Sequence, residues 1–269
     1  FFEDESLRKL DDVARLDTLV TVVDAKNFLE ELDEADYLRD RGIEVDDEDS
    51  RTIADLLIEQ VEFANVLIVN KTDLISSGQL ESLKKILKKL NRGAQIFSCQ
   101  FGNVAPNLVL NTGMFHIEQT EEHGQWMSES LESKSSETEE FGITSFVYKQ
   151  RRPFHPDRFW DHISKRWTGV VRSKGTFWVS SRPDSVGVWS QAGGSCSAHF
   201  EGKWFASLPR EEWNFDTKED METFEREWDD RFGDRMQEIV IIGRDMNRDE
   251  ICRQLDACLL TEIELSRGS

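Results

Sequence analysis

Asn70-Lys71-Thr72-Asp73 interrupts the stretch FANVLIVNKTDLISSGQL (63–80) with four polar residues, just where an apolar, β-branched run stops and an amphipathic one begins. Their types and spacing suit recognition of a guanine base. The Asp73 carboxylate can accept two hydrogen bonds, from N1–H and from the 2-amino group of guanine, a pair that adenine does not offer. The Lys71 stem can lie on a purine face while its ammonium stays in water, and the Asn70 amide can tie neighbouring loops together. The competing reading is a surface turn capped by Asp73, because Asp favours caps and turns.

A base reader needs a rigid edge behind it. In an open parallel sheet, ligands bind outside the carboxyl ends of the strands, where the chain leaves the sheet and can offer side chains into a crevice. The first half of the chain predicts such a sheet. LDTLVTVVDA (16–25) reads as a strand buried on both faces. RTIADLLIEQVEFA (51–64) reads as a helix with Ile53, Leu57, Val61 and Ala64 on one face, and NVLIV follows as a second strand. Leu80, Leu83, Leu87 and Leu90 stripe the next helix, and AQIFS (94–98) reads as a third strand. The order β-α-β-α-β implies a parallel α/β sheet, with residues 70–73 at the carboxyl end of its second strand.

The second half changes character. Residues 116–140 are polar, Ser/Glu-rich and aperiodic, so they read as a linker between a first domain (1–115) and a second (141–269). The second domain predicts strand, helix, two strands, helix, strand and a closing helix. That βαββαβ order describes an α+β antiparallel sheet covered on one face.

With 53 acidic residues against 33 basic ones, the formal charge is −20. Nucleic acid and anionic membranes are therefore poor electrostatic partners. No apolar run of about 20 residues predicts a membrane span. Cys99, Cys196, Cys252 and Cys258 show no CxxC spacing, which suits a reducing, cytoplasmic setting. Between Glu30 and Asp49 lie eleven carboxylates without metal-ligand patterning, read as a solvated loop or lid.

Other residues invite chemistry and are read more plainly. His155, before Pro156-Asp157, is taken as a turn and helix-start residue, with ligation the alternative. Cys196 and His199 are close enough in sequence to share a metal, but a strand would point them to opposite faces. Cys252 and Cys258 read as small core residues. Trp160, Trp167, Trp178, Trp189 and Trp204 read as core rather than as a base-stacking platform, for want of a basic groove.

The N-K-x-D spacing matches the guanine element of P-loop G proteins. RTIADLLIEQVEFANVLIVNKTDL and VLNTGMF (109–115) together resemble the second half of the GTPase domain of CobW-type proteins, the P-loop metallochaperone GTPases. RRPFHPDRFW, VVRSKGTFWVSSRPD, WSQAGG, RFGDRMQEIVIIG and LDACLLTEIEL resemble their carboxyl-terminal domain. The resemblance implies a partial Rossmann-like P-loop GTPase domain followed by a ferredoxin-like one. It also implies guanine contact by Asn70, Lys71 and Asp73, GTP and Mg²⁺ as cofactors, and delivery of a metal, most often Zn²⁺, to a client metalloprotein. It assigns no catalytic residue and no metal ligand here. No GxxxxGK[ST] run occurs in the sequence, so the phosphate-binding half is expected upstream of Phe1. The interdomain His-rich run of many members is reduced to His116 and His123. The alternative is a protein-binding module that works without nucleotide, which the codons upstream of Phe1 would distinguish.

Overall fold

The computed structural model describes residues 15–33, 52–116, 142–165, 167–215 and 217–267. The acidic segment and the polar linker lie outside these residues, apart from Glu30, Glu31, Asp33 and His116 at their margins. Among the described residues, 15–30 and 57–116 form one compact unit, and 31–33, 52–56 and 142–267 form another.

The first unit is built on three parallel strands, β1 (Val20–Asp24), β2 (Val66–Asn70) and β3 (Gln95–Ser98), in that order across the sheet. β2 is central, and Val66, Leu67, Ile68 and Val69 are all buried, as a strand covered on both faces must be. The expectation of full burial fails for β1, where Val20 and Val22 are exposed. β1 pairs only with β2 among the described residues, and none of them covers that outer row. Three helices fall in the same stretch of chain, α1 (Phe28–Asp33), α2 (Ile53–Phe63) and α3 (Ser77–Leu90), and α3 lies wholly in the first unit. Ile53, Val61 and Ala64 are buried as expected, together with Ala54 and Ile58, whereas Leu57 is only half-buried. α3 buries Leu83, Ile86, Leu87 and Leu90, and its start is closed by a reciprocal Ser76–Gln79 capping box.

Asparagines and an aspartate stitch the far end of this sheet. The Asn91 amide donates to the carbonyls of Val61, Glu62 and Ala64 at 2.8, 3.0 and 2.8 Å, closing the end of α2. Asn65 accepts from Leu19 N–H and donates to the Met114 carbonyl. Asp17 accepts from the backbone N–H groups of Thr112 (2.8 Å) and Gly113 (2.9 Å). The Thr18 hydroxyl, then these N–H groups, hold its carboxyl below the ordinary value. The LNTGMF motif therefore serves as a structural clasp.

In the second unit, β4 (Ile143–Gln150), α4 (Pro156–Ile163), β5 (Val170–Phe177), β6 (Ser185–Ala192), β7 (Ser195–Lys203), α5 (Lys218–Glu227), β8 (Gln237–Arg244), α6 (Arg248–Cys258) and α7 (Glu262–Arg267) follow in turn. The sheet is antiparallel in the order β4-β8-β5-β6-β7. The α+β reading holds, with β7 added. That strand escaped the sequence pattern because Ser195–Lys203 lacks apolar alternation; it is held by its ladder with β6 and stays largely exposed at the edge. A two-residue Gly193-Gly194 turn connects the pair. Gly193 sits at φ +52°, where a side chain would be strained and a Cβ would collide with the Leu32 carbonyl.

Central β8 buries Ile239, Val240, Ile241 and Ile242. One core joins Ile239 and Ile241 to Phe159 and Ile163 of α4, Ile251 and Leu255 of α6, and Trp167 and Trp189. Of the five tryptophans expected inside, Trp167, Trp178, Trp189 and Trp204 are buried. Trp160 is 66% exposed, because it lies one residue off the Phe159–Ile163 face of α4. Residues 205–228 form an aromatic satellite in which Phe205, Trp213, Phe224 and Trp228 pack mostly edge-on or tilted.

The closing α7 is clipped by a two-pronged ion pair, Arg158 Nη1 to Glu264 Oε1 at 2.8 Å and Nη2 to Oε2 at 2.9 Å. Hydrogen bonds from Arg158, then the Thr261 N–H, hold the Glu264 carboxyl far below its ordinary range. A depressed carboxylate stabilises the fold above its unfolded pKa of about 4.3 and loses that contribution as pH falls toward the folded value. In urea titrations, Glu264→Gln is expected to show a smaller fall in midpoint than the parent between about pH 5 and pH 3. Equal falls would show that this clip contributes nothing.

Candidate functional site at the carboxyl edge of the parallel sheet

β2 runs straight into the polar cluster. Asn70 is its last residue, paired across the sheet with Asp24, the last residue of β1. The chain then leaves the sheet sharply. Lys71 takes a left-handed conformation (φ 60°, ψ 32°), which costs a residue with a Cβ roughly 1–2 kcal/mol. Thr72–Leu74 make one 3₁₀ turn, with Leu74 N–H donating to the Lys71 carbonyl at 3.0 Å.

Three tethers fix this turn. The Asn70 side-chain oxygen accepts from Gly102 N–H at 3.0 Å and from the Cys99 thiol at 3.3 Å, so the amide ties the β2 end to the loop after β3. The Thr72 hydroxyl (3.0 Å) and N–H (3.4 Å) both donate to the Cys99 carbonyl. Lys71 Nζ reaches Asp24 Oδ2 at 2.7 Å, laying its stem across the ends of β1 and β2. Both partners are partly solvated, so the pair itself contributes at most about 1 kcal/mol; its role is to aim the stem. Burial pushes the Asp24 carboxyl up, but the Lys71 ammonium and the backbone N–H groups of Lys26 and Asn27 outweigh it, leaving the group below its ordinary value.

Asp73 is the exception in this network. Its carboxylate is exposed and has no hydrogen-bond or ion-pair partner among the described residues. It does not cap the following helix either, since Ser76 does that. The turn-cap reading of Asp73 therefore has no hydrogen bond behind it. Asp24 and the Cys99–Gly102 loop were missed by the sequence reading. The available signal was positional: Asp24 ends one parallel strand beside Asn70, and SCQFG follows the end of another.

The other candidates do not converge. His155 occupies the helix-start position, yet its imidazole makes no cap hydrogen bond and its buried Nδ1 has no partner; the backbone carries the turn, through His155 N–H to the Cys258 carbonyl and Phe159 N–H to the His155 carbonyl. Cys196 donates to the Ile163 carbonyl, whereas His199 faces Glu201 at 3.6 Å. Cys258 is buried and Cys252 half-buried against the same core, as read. Burial lowers the His162 imidazole to about 4, with Lys165 adding to the effect. Among the described residues no group of three His, Cys, Asp or Glu side chains could hold a metal ion. A cavity of about 310 Å³ in the second unit is lined by Arg151, Lys203, Trp204, Phe205 and Glu238. Arg151 spends its guanidinium there on backbone carbonyls, and Glu238 pairs with Lys149.

The polar loop thus sits outside the carboxyl ends of a parallel sheet, where open α/β sheets bind ligands. Residues 2–98 match the CobW/HypB/UreG nucleotide-binding domain, and residues 143–259 match the cobalamin synthesis protein CobW carboxyl-terminal domain. The chain belongs to the CobW family. It is 38% identical over 270 residues to "Zinc-regulated GTPase metalloprotein activator 1" of Dictyostelium discoideum, covering 98% of this chain and 56% of that protein. It is 25% identical over 224 residues to a protein of Mycobacterium tuberculosis named as a zinc chaperone, covering 81% of this chain and 52% of that one. The chain thus spans about half the length of these curated relatives. The zinc-bound YjiA GTPase of E. coli overlays with a TM-score of 0.34 at 17% identity, covering 91% of this chain and 62% of that one, too loose a match to bear on the site. No helix among the described residues is long and apolar enough to cross a membrane.

Proposed function

We propose that this chain is the guanine-reading and carboxyl-terminal part of a GTP-dependent zinc metallochaperone acting in the cytoplasm. The observation that carries the reading is the Asp73 carboxylate, which has no partner among the described residues, in a turn where the Asn70, Lys71 and Thr72 side chains each hold one. A turn needs no such carboxylate, whereas guanine recognition does. In this reading Asp73 accepts from guanine N1–H and the 2-amino group, Lys71 lays its stem on the base, and Asn70 holds the two loops in register. Family membership and the zinc-related names of two relatives support GTP as the nucleotide and zinc as cargo for a client metalloprotein.

Bound GTP would favour one arrangement of the protein and its hydrolysis another, so that zinc affinity differs between the states. Mg²⁺ would neutralise phosphate charge in such a reaction, but no three-ligand cluster among the described residues fits it. Transfer of Zn²⁺ from the full-length protein to an apo-metalloprotein, followed with a zinc-sensitive dye, should be faster with GTP than with ATP or no nucleotide. Equal rates in all three would remove the proposal.

A further inference from the structure

The loop after β3 contains a residue that the guanine reading leaves unused. Phe101 is 89% exposed, more than any other large apolar side chain among the described residues. Its φ is +54°, a left-handed backbone that a bulky residue adopts only when its surroundings impose it. Glycine would serve such a position without strain, and Gly102 beside it does so at φ +68°. A solvent-facing aromatic ring on strained backbone is not accounted for by packing.

Its placement is well determined. On one side, the Cys99 carbonyl takes two hydrogen bonds from Thr72. On the other, Gly102 N–H donates to the Asn70 side chain. Phe101 is therefore carried between two anchors that both end on the Asn70–Asp73 segment. A carboxylate reading a base in its plane leaves both faces of the purine to be covered, and the Lys71 stem supplies one of them.

We propose that Phe101 supplies the other, as a positioning residue that stacks on guanine and clamps it against Lys71. This inference rests on the reading of Asp73 as the guanine acceptor. Stacking is blind to the base edge, so Phe101 would set affinity for guanine and xanthine nucleotides alike, and Asp73 would choose between them. Burial of the ring in the complex would also account for its exposure in the free chain.

The test uses the full-length protein and a ribose-labelled fluorescent GDP, competed with GTP and XTP. Phe101→Ala should weaken both nucleotides in parallel by roughly 5- to 150-fold, the range typical of losing one base–aromatic stack. Phe101→Trp should restore binding. Phe101→Gly should bind as poorly as Phe101→Ala while its thermal midpoint without nucleotide is at or above the parent's, because left-handed strain is relieved; a folding defect would lower that midpoint. If Phe101→Ala binds within about twofold of the parent while Asp73→Asn shifts preference toward XTP, the stacking role falls and the guanine reading stands. If Asp73→Asn shifts nothing, both fall.

Discussion

Asp73→Asn is expected to lower affinity for GTP and raise it for XTP if Asp73 reads guanine as proposed, with the fold unchanged. The substitution exchanges a two-acceptor carboxylate for an amide with one donor and one acceptor. Guanine N1–H can still be met, but its 2-amino group then faces another donor. Xanthine carries a carbonyl at that carbon and suits the amide. Sites built on specific hydrogen bonds discriminate by factors of about 10⁴ to 10⁵, because a mismatched ligand leaves buried polar groups unpaired. Stability should not move, since the Asp73 side chain is exposed and partnerless among the described residues and α3 keeps its own cap. Lys71→Ala is the control. It removes the stem that Asp24 aims and should weaken both nucleotides without reversing their order. If the full-length Asp73→Asn protein keeps the parent's GTP-over-XTP ratio in competition titrations, the tetrapeptide is only a turn.

Trp189→Ala should cost the carboxyl-terminal unit about 3–5 kcal/mol, the range for deleting a buried aromatic. Trp189 is 1% exposed and stacks on Trp167 at 5.5 Å between ring centres, with Phe159 at 6.3 Å. It also anchors a buried polar chain. Its indole N–H donates to the Ser173 hydroxyl at 2.7 Å, that hydroxyl donates to Gln191, and the Gln191 amide donates to the Gly193 carbonyl. The substitution therefore opens a cavity and strips a donor from a buried hydroxyl, and the two penalties combine. Urea unfolding followed by far-UV circular dichroism reads the loss. Trp160→Ala, on an exposed ring, should stay within about 0.5 kcal/mol of the parent. Comparable losses for the two variants would show that burial of Trp189 does not govern this core.

How much of this was legible beforehand depended on whether a residue's role is local. β2, its polar terminus and the α3 stripe were readable because a strand covered on both faces must be continuously apolar and a packed helix must repeat near 3.6. The N-K-x-D spacing was noticeable in sequence because its donors and acceptors all fall within one turn. β7 was not readable, since a strand held by its ladder at a sheet edge needs no apolar alternation. The cap role given to His155 was plausible in sequence, and its backbone does turn there, but its imidazole makes no cap bond. Trp160 and Trp167 are the same residue type, and only the orientation of α4 and the turn after it sends one to solvent and the other into the core.

By itself, then, the sequence determined the parallel order of the first sheet, the position of Asn70, Lys71 and Asp73 at its carboxyl edge, and the α+β character of the second half. These follow from periodicity and from chain connectivity. Tertiary structure alone decided that Asp24 aims Lys71, that Cys99 and Gly102 lock the turn, and that Asp73 has no partner among the described residues. Those contacts join residues about 30 to 50 positions apart, brought together by neighbouring parallel strands whose carboxyl ends share one edge. No local pattern encodes such a juxtaposition, because each residue's own segment is equally well folded without it.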